Sequence, residues 1–190
     1  MNKEEIIIAI GADHAGFELK QKIIHFLENK KIKVIDFGCD STESVDYPDY
    51  AIKVANAVAG KESLKDIELL KSIEASKGIL VCGSGTGMCI TANKIKSIRA
   101  ANCFNKEMAE LAVQHNNINV LCLGARLINE NLAQEIIDGF LNAEFEGGRH
   151  NKRIEKIHAI AWLLLDLLLF VINLRKFEEK SSFLNPDLLD

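Results

Sequence analysis

Apolar and polar positions along this chain switch between two periods. Short runs rich in Ile, Val, Leu and Ala occupy Ile6–Ile10, Ile32–Phe37, Gly78–Cys82, Ile98–Cys103 and Asn119–Leu123. Runs of that length and composition predict buried strands. Between them, apolar residues recur at helical spacing over Phe17–Asn29, Asp49–Ala59, Thr86–Lys96, Lys106–His115 and Asn129–Asn142, then again from about Asn151. Each such segment predicts a helix with one buried stripe. Strands alternating with helices imply the α/β class, with a parallel sheet covered on both faces.

That architecture says where to look for chemistry. Ligands of open parallel sheets bind outside the carboxyl ends of the strands. Asp13-His14 follow the first strand, a glycine-rich turn follows the third, and Gly124-Ala125-Arg126 follow the fifth. His115-Asn116-Asn117 lie just before the fifth strand. The expectation is that all of them converge on one edge.

Two segments read as additions. Lys61–Lys77 carries Leu64, Ile67, Leu70 and Ile73 at helical spacing and predicts an inserted surface helix. Ile160–Leu174 is apolar all round apart from Asp166 and Asn173. Its length, about 15 residues, falls short of the roughly 20 that span a bilayer. It is expected to be a helical extension that packs or forms a subunit interface, ahead of a polar tail. The domain division expected is thus 1–160 and 161–190.

Composition narrows the function classes. The chain has 190 residues, 48% of them hydrophobic, enough for one full core. A formal net charge of −4 without a basic block, and few aromatics, argue against a nucleic-acid partner. Five cysteines are present, Cys39, Cys82, Cys89, Cys103 and Cys122, with no C-x-x-C pair to suggest zinc. An odd count and no signal peptide point to a reducing cytoplasm. Four of the five read as inert buried thiols.

The fifth is Cys82, which opens the turn Cys82-Gly83-Ser84-Gly85-Thr86-Gly87 between a strand and a helix. Such a turn brings backbone N–H groups close to a ligand, and a cysteine there can act as a thiolate on a small anion. A tight connection with an incidental cysteine is the plain alternative. A methyltransferase-type loop is another, but the next strand, Ile98–Cys103, has no acidic residue for ribose hydroxyls. The spacing is neither G-x-G-x-x-G nor a P-loop. Arg149, His150 and Arg153 lie at a helix start and suit a phosphate clamp, or a solvated basic turn. Asp46 reads as a helix cap with Pro48 in the first turn, and Tyr47 either reaches a site or packs. His115 can move protons near neutrality.

Taken together, Gly11–Phe17, Asp46-Tyr47-Pro48, Val81–Gly87, Ala92-Asn93-Lys94, Gln114-His115-Asn116, Asn119-Val120-Leu121 and Glu146–His150 resemble, in order, the RpiB/LacA/LacB family of sugar-phosphate isomerases. The resemblance spans roughly residues 5–160. It implies a three-layer, Rossmann-like αβα sandwich with a five-stranded sheet. It also implies cofactor-free, metal-free interconversion of ribose 5-phosphate and ribulose 5-phosphate. Cys82 would be the base and Ser84 a hydrogen-bond partner of the substrate. His115 would open the sugar ring with help from Asp13. Gly83, Gly85, Thr86 and Gly87 would contribute the turn, Asn116 would hold sugar oxygens and Tyr47 would line the pocket. His14, Arg149 and Arg153 would hold phosphate, with His150 close by. Members are dimers or tetramers with the site at a subunit interface, and no membrane is involved. Allose 6-phosphate or galactose 6-phosphate stays open as the substrate, as does a non-catalytic sugar-phosphate sensor. The long 61–77 segment and the apolar tail depart from the family pattern.

Overall fold

The computed structural model describes residues 6–60 and 75–160. Most of the expected inserted helix and all of the extension after residue 160 lie outside them. Lys77, expected to close the insertion, instead begins a strand.

The described residues alternate strand and helix throughout: β1 (Ile7–Ala12), α1 (Phe17–Asn29), β2 (Lys33–Asp36), α2 (Tyr47–Ala59), β3 (Lys77–Cys82), α3 (Thr86–Ala92), β4 (Ala100–Asn102), α4 (Lys106–Asn116), β5 (Val120–Gly124) and α5 (Glu130–Asn142). All neighbouring strands pair in parallel, in the order β2-β1-β3-β5-β4. The sheet is buried on both faces. Ile8, Ile10, Ile79, Leu121 and Leu123 pack against α1, α4 and α5. Ala9, Leu80, Val120 and Cys122 pack against α2 and α3. This is the expected three-layer αβα sandwich.

Local sequence explains most element ends. Leu19, Ile23 and Leu27 form the buried stripe of α1, a spacing that keeps one helical face inward. Asn105 and Asn129 cap α4 and α5 by accepting the Met108 and Leu132 N–H groups. Asp46 occupies the N-cap position of α2, but its side chain makes no capping bond. The helix nevertheless begins at Tyr47, two residues earlier than the pattern predicts, with Pro48 in its first turn.

Three elements are shorter than expected, β2 by one residue at each end. The helix predicted to reach Lys96 stops at Ala92, because the Asn93 side chain turns to bond both the N–H and the C=O of Ala100. The fourth strand keeps only Ala100–Asn102 of the predicted Ile98–Cys103. It is an edge strand, and the Arg99 N–H before it bonds the Asn119 side chain instead of a ladder partner.

The chain forms two compact units, Met1–His150 and Asn151–Asp190. Residues 149–160 are helical, so the last predicted helix begins two residues early. Among the described residues, no helix is long and apolar enough to cross a membrane.

Candidate active site

The sheet order makes a crevice. From β1 the chain steps to β2 on one side and, through α2, to β3 on the other. The loops leaving β1 and β3 therefore diverge at their carboxyl ends, where parallel sheets bind ligands. A cavity of about 380 Å³ opens there. Asp13, His14 and Ala15 after β1, Cys82 at the end of β3 with Gly83, Ser84 and Gly87 after it, and Arg126 and Leu127 after β5 line it, with Tyr47 from the start of α2.

Cys82 ends β3 and is only 4% exposed, yet its side of the strand end faces this cavity. The Gly85 N–H donates to its sulfur at 3.0 Å. Gly85 can do so because it holds a left-handed conformation, φ +77°, and a Cβ there would collide with the Asn102 side chain. Asn102 braces the turn in return, donating to the Ser84 carbonyl at 3.0 Å. Gly87 lets the Tyr47 ring lie against the backbone, since a Cβ would fall 2.7 Å from that ring. Tyr47 thus closes one side of the cavity while staying 40% exposed.

The opposite wall carries Asp13 and His14. Asp13 is buried, and its carboxylate accepts the Gly16 N–H at 3.0 Å. His14 Nδ1 accepts the Val45 N–H at 3.3 Å. That bond puts the proton of the neutral ring on Nε2, available to an anion. Arg126 brings a guanidinium beside Gly83, its Nε 3.3 Å from where a Cβ on that glycine would sit. Ser84 and Thr86 are exposed, Ser84 on the cavity and Thr86 outside its lining, with Ser84 Oγ accepting the Thr86 N–H at 3.4 Å.

The other expected site residues stand elsewhere, which corrects the expectation of a single edge. His115 and Asn116 end α4, three residues before β5 begins. They sit at the amino edge of the sheet. Cys82 pairs with Gly124, the last residue of β5. The full length of β5 separates the two groups, about 16 Å for its 5 residues. A helix that follows a parallel strand must carry the chain back to the start of the next one, and this geometry overrides nearness in sequence.

At the amino edge a second cluster forms. His115 and His150 stack with ring centroids 4.6 Å apart and planes within 3°. The Glu146 carboxylate lies 3.8 Å from Nε2 of each. His150 is buried, and its Nε2 accepts from Arg149 Nε at 3.4 Å. Arg149 and Asn116 are exposed. Arg153 is exposed and belongs to the second unit. The ligand atoms of His115, Glu146 and His150 lie within 4.8 Å of one another, a set that could hold a metal ion.

The cysteines differ more than their apolar surroundings suggest. Burial pushes the Cys39, Cys103 and Cys122 thiols up, Cys103 to about 11. Cys89, read as inert, is half-buried and drawn down to about 7, chiefly by a hydrogen bond from the Cys122 thiol, with help from the Asn102 backbone and the Asn93 side chain. Its acidity arises from neighbours far away in sequence. Arg126 was expected at the carboxyl edge but without a role, and Asn102 was not among the expected site residues. The position of Arg126 just after a strand end was the sign that placed it there; Asn102 had none.

The fold and the cavity define an α/β protein with a cavity at a sheet switch point, lined by a cysteine, a histidine and an arginine. The chain belongs to the ribose/galactose isomerase family, whose model matches residues 8–157. It is 46% identical over 153 residues to ribose-5-phosphate isomerase B of Escherichia coli, covering 80% of this chain and 95% of that one. A crystal structure of a ribose 5-phosphate isomerase from Thermotoga maritima superposes with a TM-score of 0.72 at 49% identity, covering 82% of this chain and 99% of that one. A ribose-5-phosphate isomerase B from Mycoplasma genitalium, solved with bound ribulose-5-phosphate, superposes at 0.70 with 39% identity, covering 83% and 97%.

Proposed function

We propose that this protein interconverts D-ribose 5-phosphate and D-ribulose 5-phosphate through an enediolate. The observation that carries the reading is the Cys82 sulfur, placed on a cavity between the β1 and β3 loops with an N–H aimed at it. Aldose-to-ketose conversion moves a proton from C2 to C1. One base on one face of the sugar can do both transfers, so one thiolate suffices. Cys82 takes the C2 proton and the electron pair passes to the C1 oxygen; the hydroxyl proton moves from O2 to O1, and Cys82 returns its proton to C1 as the C2 carbonyl forms. Negative charge on the enediolate oxygens is met by backbone N–H groups of the Gly83–Gly87 turn. Ser84 hydrogen-bonds the sugar and Tyr47 walls the cavity.

Ribose 5-phosphate is mostly cyclic, so the ring must open first. His115 is the acid/base for that step, Asp13 assists at the ring oxygen and Asn116 holds sugar oxygens. His14, Arg149 and Arg153 hold the phosphate. Cys82 and His115 lie at opposite edges of one sheet, so a single chain does not complete the site. A second copy supplies His115, Asn116 and the arginines to the Cys82 cavity, and the active form is a homodimer or a tetramer of dimers. Leu127, 59% exposed at the cavity, and the exposed Tyr47 ring suit such a contact. Five free thiols suit the cytoplasm.

The test is a coupled assay of purified protein with no metal added, following ribulose 5-phosphate formed from ribose 5-phosphate beside allose 6-phosphate and galactose 6-phosphate. Turnover of the pentose is expected to lead. Turnover confined to a hexose phosphate, or none at all, would overturn the reading.

A further inference from the structure

The amino-edge cluster contains two groups that a ring-opening histidine does not itself require. We propose that His150 and Glu146 are positioning residues that set the plane and rotation of the His115 ring. This rests on the reading above, in which His115 opens the sugar ring.

Burial comes first. His115 sits on the last turn of α4 and is 38% exposed, so burial alone does not fix the ring. His150 is 3% exposed and cannot turn freely. Its ring lies flat against His115, at 4.6 Å and 3°. A stacked contact of that kind resists tilting of the exposed ring. The Arg149 Nε–H reaches His150 Nε2, which is therefore an acceptor, with the ring proton on Nδ1. A neutral His150 can lie beneath an imidazolium without like-charge repulsion.

Stacking fixes the plane but not rotation within it. Glu146 supplies a second, purely electrostatic restraint, its carboxylate oxygen 3.8 Å from His115 Nε2, beyond hydrogen-bond length. The Glu146 N–H in turn bonds the Gln114 carbonyl at 3.0 Å, tying the loop after α5 to the residue just before His115. Plane, rotation and backbone are therefore held by one short segment. The same segment carries Arg149, so the ring-opening group and a phosphate ligand are registered to each other. His150, buried under a ring, then acts on the phosphate only through Arg149.

The experiment separates ring opening from proton transfer. Ribulose 5-phosphate is acyclic, because its 5-oxygen carries the phosphate. Exchange of its C1 proton with D2O therefore needs Cys82 but no ring opening. His150→Ala is expected to lower kcat on ribose 5-phosphate about tenfold while the exchange rate and KM stay within about twofold. His150→Phe keeps a flat ring without ring nitrogens and is expected to recover most of the loss. Glu146→Gln, at an exposed position, is expected to show the same split more weakly, and it carries the test if His150→Ala does not fold. A KM increase shared by His150→Ala and His150→Phe with kcat unchanged would make His150 an anion ligand and overturn the proposal. So would exchange falling in step with turnover. His115→Ala run alongside isolates the underlying reading: full ribose 5-phosphate turnover there removes His115 from ring opening whatever the His150 variants do.

Discussion

The two edges of the sheet differ in kind. The carboxyl edge is a cavity: a sulfur, a buried carboxylate and a histidine face shared space, fixed by backbone hydrogen bonds and by glycines that permit close approach. The amino edge is a surface: two stacked imidazoles and a carboxylate on helix and loop ends, with arginine beside them. One holds the group suited to carbon–hydrogen chemistry, the other groups suited to oxygen protonation and anion binding. A parallel βαβ chain cannot bring its own two edges together, so on the reading proposed above the halves meet only between copies.

Removing the sulfur should have the largest effect. Cys82→Ala is expected to reduce isomerisation by about a thousandfold or more, the scale of a lost acid/base group, while ribose 5-phosphate still binds by calorimetry. Near-normal turnover would take the cysteine out of the mechanism. The comparison of edges is sharpened by mixing. Inactive Cys82→Ala and inactive His115→Ala proteins, unfolded and refolded together, should regain roughly a quarter of wild-type activity, because half of randomly paired two-fold dimers carry one intact site of two. No recovery, with mixed dimers shown to form, would place both groups in one chain's site.

Arg149→Ala should raise KM for phosphorylated sugars about tenfold at nearly unchanged kcat, the effect of losing one charge-assisted contact. Unchanged affinity for inorganic phosphate and substrate would remove Arg149 from the clamp. A stability test probes the scaffold, at the contact of α1 with β2. The fully buried Lys20 ammonium contacts the Asp36 carboxylate at 2.6 and 2.7 Å, and Asp36 also accepts the Gly38 N–H. Lys20→Met should cost about 2 kcal/mol by urea unfolding, less than a fully buried pair because Asp36 keeps some solvent. The smallest effect is a titration. Labelling of Cys89 by iodoacetamide, read by mass spectrometry, should rise with a midpoint near pH 7, against 9 for an ordinary thiol. The folded value lies below the unfolded one, so this group adds stability above pH 9 that is lost as pH falls through 7.

Legibility in the sequence followed the range of the interactions. α1 matched its predicted span because its stripe is local. The glycine turn was legible because its conformation needs glycine at that point. The early end of α3 was not, since Asn93 finds its partner at Ala100 only after β4 is placed. The acidity of Cys89 was hidden for the same reason.

The order of residues alone determined the alternation of strand and helix, the parallel sheet, and the identity of the cysteine, histidines and arginines on which the chemistry is proposed to rest. Those properties are written in periodicity and residue type, which act over a few positions. Tertiary structure alone decided which edge each group occupies. Strand order, crossover direction and strand length set that arrangement, and each depends on contacts between segments far apart in the chain.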